Sequence, residues 1–377
     1  MAKKILLFVV NVDWFFTSHR MPIALAAMRD GYEVHIATSI TTKLDDLRRN
    51  GLIVHELKLR REGASFLNGF SSLRQLVRLF RLLRPRVVHL VTIKPVLLGG
   101  IAARLTGIPA VVAAVSGLGY VFTAQGKAAY LRRWAIAKVY RIALSNPRLQ
   151  VIFQNEDDRR ILCHFARLDP ARSILIRGSG VDLRDYHLSP LPPGVPTVVM
   201  AARLLRDKGV GEFIEAARLL RGRGSIARFV LVGSLDEANP TSLTKARLEA
   251  IVKEDIVELW GHRTDMPNVM AQASIVVLPS YREGLPKVLI EAAACGRPVV
   301  TTDVPGCRDA IEADMTGLLV PVRDAVALAY AIERLVSSPA LCRDMGVAGR
   351  RLAEAAFDLK IVVDAHLNLY KKIAMTS

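Results

Sequence analysis

Short apolar runs alternate with segments of helical periodicity along the whole chain. In the first half, runs rich in β-branched and other apolar residues predict strands at residues 5–10, 33–37, 53–57, 87–91, 110–115, 151–153 and 174–176. Between these runs, apolar positions three or four residues apart predict helices, for example over residues 19–29, 67–83 and 127–144. Strands that are apolar throughout and are joined by helices are typical of parallel sheets covered on both faces.

The second half of the chain repeats this alternation. Its predicted strands are residues 197–201, 228–232, 256–259, 274–278 and 298–302. A Pro/Gly stretch at residues 189–196 separates the halves and is typical of a linker. We therefore expect an α/β protein with two Rossmann-like domains, residues 1–188 and 189–377, whose parallel sheets face each other across a cleft. The last helix would be free to pack back on the first domain.

Charge distinguishes the two halves. The 377 residues carry a net charge of +17, and residues 1–185 hold 29 Lys and Arg against 13 Asp and Glu, whereas residues 186–377 hold 23 against 22. Between Lys58 and Arg148, sixteen basic residues meet a single acid, Glu62. Such a surplus indicates an anionic partner, which leaves nucleic acid, a membrane surface and phosphorylated substrates as candidates.

Cysteine spacing and the start of the chain bear on compartment and metal content. The four cysteines are far apart, with no C-x-x-C pair, and no D-x-D triplet or H-E-x-x-H motif occurs. We therefore expect a reducing compartment, no metal and no cofactor. The first apolar run is too short for a signal peptide. An uncharged stretch between Arg104 and Lys127 is long enough to span a bilayer, but glycine and proline divide it, so we expect a cytoplasmic protein.

The second half carries the more specific chemistry. Arg203 and Lys208 follow a predicted strand and precede a helix, which is a suitable arrangement for binding a diphosphate, although a solvated loop with ordinary surface charges would look the same. Glu283 lies in a loop after the next apolar strand, and Glu291 lies on the helix that follows. This spacing suits two contacts on different parts of one extended ligand, whereas a capping glutamate and a solvent-facing glutamate are the alternative.

Taken together, these residues resemble the donor site of the family 4 glycosyltransferases, which are retaining enzymes of the GT-B fold. Glu283 and Glu291 form the E-x7-E motif, with Arg203 and Lys208 upstream. Further similar stretches are residues 178–182 (Gly-Ser-Gly-Val-Asp), 261–263 (Gly-His-Arg), 305–307 (Pro-Gly-Cys) and 317–319 (Gly-Leu-Leu). The similarity covers nearly the whole chain.

The resemblance implies roles for the second half. Arg203 and Lys208 would bind the donor diphosphate and stabilise negative charge on the leaving nucleotide. Glu291 would accept hydrogen bonds from the ribose hydroxyls, and Glu283 would contact the donor sugar. The remaining donor-site positions are Gly284, Leu285 and Pro286, which would pack on the sugar through their backbone, and Arg263, which would lie near the base.

The first half is expected to bind the acceptor. The family often places a histidine after a mid-domain strand, but here Ser116 and Gly117 occupy the comparable place, so no histidine role is assigned there. His19 with Arg20 follows the first strand and Lys94 follows a later one, which makes them candidate acceptor ligands by their strand-end position. His89 lies within the strand that precedes Lys94 (residues 87–91) and is expected to be structural.

Basic residues on one predicted helix favour a membrane contact. Residues 67–83 place Leu73, Leu76, Val77 and Phe80 on one side, with Arg74, Arg78, Arg81 and Arg84 on another. A basic amphipathic helix gains about 1 kcal/mol per basic residue near an anionic leaflet. An ordinary sheet-covering helix explains the apolar side equally well. It leaves the regional excess of basic residues unexplained, so we favour a peripheral protein on the inner face of the cytoplasmic membrane.

The whole chain most resembles bacterial enzymes that extend undecaprenyl-diphosphate-linked sugars in O-antigen, lipopolysaccharide or other glycan assembly. The expected activity is retaining transfer of a hexose or N-acetylhexosamine from a UDP-linked nucleotide sugar to a lipid-linked sugar. Two alternatives remain at this point. One is a sugar-nucleotide epimerase of the same architecture, and the other is a basic nucleic-acid-binding protein, which would need aromatic or recognition-helix patches among its bases.

Overall fold

A computed structural model describes residues 4–57, 66–118, 127–236 and 239–375. The chain divides into two compact units, the first formed by Met1–Ser179 with Ile361–Ser377 and the second by Gly180–Lys360. The division between units therefore falls before the Pro/Gly stretch at residues 189–196, and the C-terminal residues cluster with the first unit.

The first unit is built on a parallel sheet of seven strands in the order β3-β2-β1-β4-β5-β6-β7. The strands are β1 (Lys4–Val12), β2 (Tyr32–Ser39), β3 (Ile53–Glu56), β4 (Val87–Val91), β5 (Val111–Val115), β6 (Leu149–Phe153) and β7 (Ser173–Leu175). The helices are α1 (Asp13–His19), α2 (Met21–Arg29), α3 (Leu44–Arg49), α4 (Phe66–Leu83), α5 (Ile93–Thr106), α6 (Lys127–Ala143), α7 (Glu156–Ala166) and, at the far end of the chain, α14 (Leu359–Met375).

Helices cover both faces of this sheet, as its apolar strands predict. Alternate side chains of β1 enter different clusters: Leu7 and Val9 pack with α4, α5, α6 and α7, whereas Leu6 and Phe8 pack with α2 and α14. Because successive residues of a strand point to opposite faces, a strand buried on both sides must be apolar at every position.

The second unit has a parallel sheet of six strands in the order β10-β9-β8-β11-β12-β13. Its strands are β8 (Thr197–Ala201), β9 (Arg228–Val232), β10 (Glu258–Gly261), β11 (Ile275–Leu278), β12 (Val299–Thr302) and β13 (Gly317–Val320). Its helices are α8 (Val210–Gly222), α9 (Lys245–Lys253), α10 (Met266–Gln272), α11 (Lys287–Ala294), α12 (Ala325–Val336) and α13 (Pro339–Leu352). The prediction of two parallel α/β sheets is confirmed.

Two local differences from the sequence expectation concern helices and strands. The predicted helix over residues 19–29 is α2, which begins two residues later, at Met21, with Pro22 in its first turn, a position that suits proline. Helix α1, just before it, was not predicted. Strand β13 was not among the predicted strands.

Across the described residues, no single helix has the length and apolar character needed to cross a membrane; α12 and the helical run 339–357 reach that threshold only as a pair, bent by 98°.

Candidate active site

Two loops of the second unit meet at the carboxyl edge of its sheet. Strands β8 and β11 are neighbours, and the loop after each carries one of the predicted donor residues. Lys208, in a 3-10 turn after β8, donates a hydrogen bond from Nζ to Oε1 of Glu283, in the loop after β11. The Ser280 hydroxyl donates to the same oxygen at 2.7 Å. The structure therefore brings Lys208 and Glu283 together at the edge where parallel sheets bind ligands.

Glycine at position 209 makes this approach possible. Gly209 has a φ of +78°, and a Cβ there would lie 2.2 Å from the carbonyl oxygen of Pro279. The backbone N–H of Tyr281 also donates to the Asp207 carbonyl oxygen at 2.9 Å. Any other residue at 209 would be strained and would push the two loops apart. The glycine thus fixes the position of Lys208 relative to the Glu283 loop.

A third loop supports Glu283 from the other side. The N–H of Glu283 donates to the Pro305 carbonyl oxygen at 3.2 Å. Gly306 has a φ of +82°, and its Cβ would lie 2.5 Å from the Gly284 carbonyl oxygen. The thiol of Cys307 is buried beneath, and burial, with the charge of Glu283, raises its pKa to about 12. This thiol therefore stays neutral near pH 7.

Glu291 lies on α11 and is almost fully buried. Its exposed fraction is 4%. The Tyr186 hydroxyl donates to Glu291 Oε1 at 2.6 Å, and Lys287, one turn earlier on α11, places Nζ 3.2 Å from the same oxygen. Burial, followed by the Glu291 charge, raises the pKa of Tyr186 far above its usual value, so the phenol remains a donor. Neither Tyr186 nor Lys287 was predicted as a site residue.

The other predicted donor residues occupy separate positions. Arg203 follows β8 and donates from Nη1 to Asp236 Oδ2 at 2.6 Å, after the neighbouring strand β9. Arg263 follows β10 and forms a two-pronged pair with Asp265, at 2.7 and 2.5 Å. Leu285 and Pro286 are buried at the start of α11, directly after Gly284. Arg263 is thus paired locally, and within the described ranges of the chain it forms no hydrogen bond or ion pair with Lys208 or Glu283.

In the first unit, Lys94, Ser116 and Gly117 lie close after strand ends, whereas His19 is the last residue of α1, seven residues after β1. His19 is half-buried and stacks on Phe15, with ring centroids 4.2 Å apart. Burial lowers the pKa of Lys94 in the first turn of α5. Arg20 is 2% exposed, and its Nη1 donates to the His19 carbonyl oxygen at 3.0 Å. Its side chain belongs to the interior of the unit, so we do not retain it as an acceptor ligand.

Arg20 lies in a buried polar cluster formed with α14. The cluster consists of Arg20, His89, His366 and Tyr370. His89 Nδ1 is 2.6 Å from the Tyr370 hydroxyl, and the His89 and His366 rings stack with centroids 5.6 Å apart. Burial is the largest cause that lowers the pKa of both histidines, to about 3 for His366, and the Arg20 charge adds to it. Both imidazoles are neutral at pH 7.

Polar side chains at three adjacent strand ends form a group, and the sequence predicted only one of them, Ser116, as a site residue. Val10, Val91 and Ala114 align across β1, β4 and β5. Just beyond them, Asn11 Oδ1, Thr92 Oγ1 and Ser116 Oγ are buried without a hydrogen-bond partner among the described residues. Thr92 has a φ of +74°, an uncommon strained conformation for threonine. Asn11 and Thr92 were missed, although both directly follow predicted strands.

The helical layer over one face of the first sheet carries the expected basic residues. Arg74, Arg78, Arg81 and Arg84 are exposed on or just after α4. Large apolar side chains are exposed on the same layer: Phe70 and Leu82 on α4, Leu105 on α5, and Trp134 and Ile142 on α6. We call this surface, with its four arginines and five apolar residues, the basic–apolar face. Residues 119–126, which include the end of the predicted glycine segment after Gly117, lie outside the described residues.

Among residues 4–57, 66–118, 127–236 and 239–375, no three or more His, Cys, Asp or Glu side chains come close enough to hold a metal ion. The four cysteines are free thiols.

Comparison with known proteins identifies the class to which this site belongs. Residues 4–155 match the family model described as glycosyl transferase 4-like, and residues 195–338 match the one described as glycosyl transferases group 1. The chain is 30% identical over 371 residues to the N,N'-diacetylbacillosaminyl-diphospho-undecaprenol alpha-1,3-N-acetylgalactosaminyltransferase of Campylobacter jejuni, covering 94% of this chain and 95% of that one. These similarities define a glycosyltransferase.

Two further comparisons agree with that class. The chain is 25% identical to the UDP-Gal:alpha-D-GlcNAc-diphosphoundecaprenol alpha-1,3-galactosyltransferase of Escherichia coli, over 79% of this chain and 81% of that one. A crystal structure of a glycosyltransferase from Rickettsia africae superposes with a TM-score of 0.80 at 18% identity and full coverage of both chains. The chain belongs to the group 1, family 4-like glycosyltransferases and has the two parallel α/β sheets of their GT-B fold. The comparisons do not support the epimerase or nucleic-acid-binding alternatives.

Proposed function

We propose that this enzyme transfers a hexose or N-acetylhexosamine, with retention of configuration, from a UDP-sugar to a sugar linked to a polyprenyl diphosphate. Two relatives support the acceptor class, since their names describe transfer to undecaprenol-diphosphate-linked sugars. The name of the Escherichia coli relative includes a UDP-linked donor. Cell-surface polysaccharide or O-antigen assembly would use such a product.

The contact between Lys208 and Glu283 is the observation that carries the donor assignment. It places a cation and a carboxylate at one sheet edge, where a nucleotide sugar offers a diphosphate beside a hydroxylated ring. Lys208, with Arg203 from the same loop, would stabilise the charge that develops on the leaving diphosphate. Glu283 would accept hydrogen bonds from the donor sugar, and Glu291 from the ribose. Gly284, Leu285 and Pro286 would line the sugar with backbone atoms.

The proposed chemistry needs electrostatic stabilisation more than a protein base. In a retaining transfer, the acceptor hydroxyl attacks the same face of the donor sugar from which the phosphate departs, so the leaving phosphate can take the acceptor proton. The contribution of the protein is then to position the reactants and to stabilise developing negative charge. Lys208 suits this role because its ammonium is positioned by a hydrogen bond to Glu283. The Ser280 hydroxyl, which donates to the same carboxylate oxygen, fixes Glu283 in turn. No metal is needed in this scheme, because lysine and arginine supply the positive charge.

We assign the acceptor to the strand ends of the first unit. Lys94 follows β4, and Ser116 and Gly117 follow β5; Asn11 lies near the end of β1, Thr92 directly follows β4, and His19 ends the helix that follows β1. Unpartnered hydroxyl and amide oxygens suit sugar hydroxyls, because the Thr92 and Ser116 hydroxyls can donate to or accept from them and the Asn11 amide oxygen can accept from them. The partly buried ammonium of Lys94 suits a phosphate oxygen of the lipid carrier.

The basic–apolar face is the proposed membrane contact. Arginine side chains attract anionic headgroups, while exposed Phe, Leu and Trp side chains insert at the interface between headgroups and acyl chains. On α6, Lys138 Nζ lies 3.6 Å from the Trp134 ring centroid, so the same helix offers both kinds of contact. This supports a peripheral position on the inner face of the cytoplasmic membrane, where polyprenyl-linked acceptors are found.

The test is a transfer assay with defined donors. UDP-galactose, UDP-N-acetylgalactosamine, UDP-glucose and UDP-N-acetylglucosamine, each radiolabelled in the sugar, are incubated with enzyme and a bacterial membrane lipid extract. We expect label from at least one donor to enter the organic phase. Mild acid should release this label, because the bond between a sugar and a polyprenyl diphosphate is acid-labile. Label confined to the aqueous phase with all four donors, or an acid-stable lipid product, would contradict the proposal.

A further inference from the structure

Tyr186 connects the segment before the Pro/Gly stretch at residues 189–196 to the helix that carries Glu291. Its side chain is 8% exposed, and its hydroxyl donates to Glu291 Oε1 at 2.6 Å. The two residues are 105 positions apart in the sequence. Both belong to the second unit, so the contact is part of one compact body.

The backbone around Tyr186 is fixed with respect to the end of α11. The N–H of Tyr186 donates to the Asp182 carbonyl oxygen at 3.0 Å. Arg350 on α13 donates from Nη1 to the carbonyl oxygens of Tyr186 and Ala294, at 2.7 and 2.8 Å. Ala294 is the last residue of α11, so one guanidinium holds both segments. The phenol therefore reaches Glu291 from a position that the backbone determines.

The contacts of Glu291 are unequally shared between its two carboxylate oxygens. The Tyr186 hydroxyl and Lys287 Nζ both approach Oε1. Within the described part of the chain, Oε2 has no hydrogen-bond or ion-pair partner. An ionised carboxylate offers about four acceptor positions, two on each oxygen. Two donors on Oε1 hold the side chain in one rotamer and leave the acceptor positions of Oε2 for a ligand.

Lys287 alone would hold Glu291 less well than the pair does. Its side chain is 31% exposed and flexible, whereas the phenol is rigid and buried. An ammonium contact at 3.2 Å also constrains direction less than a phenol hydrogen bond at 2.6 Å. The direction of Oε2 is therefore set mainly by Tyr186.

We propose that Tyr186 is a positioning residue for the nucleotide: it holds Glu291 so that Oε2 accepts hydrogen bonds from the ribose hydroxyls. This inference rests on the proposed function, in which Glu291 binds the ribose. Tyr186 itself does not touch the substrate. Its loss should therefore affect nucleotide affinity through the ribose alone.

The experiment compares two nucleotides on one conservative variant. Tyr186→Phe keeps the ring and removes only the hydroxyl. By titration calorimetry, we expect the variant to bind UDP roughly threefold to tenfold more weakly than the original enzyme. It should bind 2′,3′-dideoxy-UDP, which lacks both ribose hydroxyls, as the original enzyme does. In transfer assays, KM for the UDP-sugar should rise by the same factor while kcat stays within about twofold.

Tyr370→Phe is the matched control, because it removes a buried phenol hydroxyl that bonds to His89 at the same distance, 2.6 Å, in the first unit. It should lower Tm comparably and leave UDP affinity unchanged. Equal UDP affinity of Tyr186→Phe and the original enzyme would overturn the inference. An equal loss for UDP and dideoxy-UDP would also overturn it, because that result indicates a general structural effect.

Glu291→Ala separates failure of the inference from failure of the proposed function. If Glu291→Ala binds UDP as well as the original enzyme, the ribose assignment of Glu291 is wrong. If Glu291→Ala weakens UDP binding but Tyr186→Phe does not, only the role of Tyr186 is wrong. We expect the double variant to bind UDP no more weakly than Glu291→Ala, because Tyr186 acts through that carboxylate.

Discussion

Lys208 donates a hydrogen bond to Glu283 across the loops that follow two neighbouring strands, β8 and β11. The side chains of both are mostly buried, with exposed fractions of 22% and 12%. The cation proposed for the diphosphate and the carboxylate proposed for the donor sugar are therefore already in place relative to each other. A site arranged in this way needs little reorganisation when charge develops on the leaving group.

Lys208→Ala tests the electrostatic role directly. Removing one preorganised charge-stabilising group lowers kcat by about 100- to 1,000-fold in comparable sites. We expect a loss of that size in sugar transfer, measured at saturating donor, with a smaller change in KM. Lys253→Ala, at an exposed position at the end of α9, should keep full activity. A Lys208→Ala enzyme within twofold of the original would refute the donor-site assignment.

Gly209→Ala tests whether the two loops must approach so closely. A Cβ at this position would lie 2.2 Å from the Pro279 carbonyl oxygen, in a backbone conformation that favours glycine. We expect a lower Tm and at least about tenfold lower kcat, because a misplacement near 1 Å costs about 100-fold in rate. Gly211→Ala is the control: its φ is not in the left-handed region, and a Cβ there meets nothing within 4 Å. Equal behaviour of the two variants would argue against the close approach.

Reversing charge on the basic–apolar face tests membrane attachment. Arg74→Glu, Arg78→Glu and Arg81→Glu in one protein should abolish sedimentation with vesicles containing anionic phospholipid, since about 1 kcal/mol per basic residue is lost and repulsion is added. UDP affinity should not change.

The control for this experiment is a triple reversal on the second unit, at the exposed residues Arg247, Arg343 and Arg351. It matches the change in net charge without touching the basic–apolar face, so its vesicle binding should persist. If both triple variants lose binding equally, net charge explains the attachment and the face does not.

The buried histidines predict a pH dependence of stability. Burial holds the pKa of His366 near 3 and that of His89 well below 6.5 in the folded protein. Between these values and 6.5, the unfolded chain binds protons at these positions that the folded chain does not. The two histidines therefore lower stability as pH drops below about 6.5 and have no such effect above it. The limiting slope is about 1.4 kcal/mol per pH unit for each histidine.

Thermal unfolding at pH 5.0 and 7.5 measures this effect. We expect His366→Gln to show a smaller difference in Tm between the two pH values than the original protein. His164→Gln, at an exposed position on α7, should leave that difference unchanged. An unchanged difference in His366→Gln would show that this imidazole does not couple folding to pH.

Most of the sheet architecture was predictable, because strands buried on both faces are apolar at every position and stand out from their surroundings. Strand β13 was missed as a strand because it begins with Gly317, a residue that strands disfavour, which leaves an apolar run of only three residues. Helix α1 was not predicted, and the helix predicted after it began at His19, two residues before the start of α2. Pro22 was the available signal, since proline often occupies the first turn of a helix.

The candidate site was predictable where it depends on short spacing and not where it depends on distant contacts. Glu283 and Glu291 lie in one motif, and Lys208 lies in the loop after the adjacent strand. Arg20 looked accessible because it follows the first strand, yet residues of α14, about 350 positions later, help to bury it. Likewise, no local pattern indicates that Tyr186 reaches Glu291, because that contact exists only once the second unit has folded.

The return of α14 to the first unit has a consequence for how the protein is made. Tyr370, Leu369 and Val362 of this helix belong to the core on one face of the first sheet, which is otherwise built from residues before position 180. A ribosome completes the first-unit segment well before it synthesises these residues. That segment must therefore wait, with apolar surface uncovered, while the whole second unit emerges and folds. Stable folding of the N-terminal unit is thus expected to be a late event of synthesis.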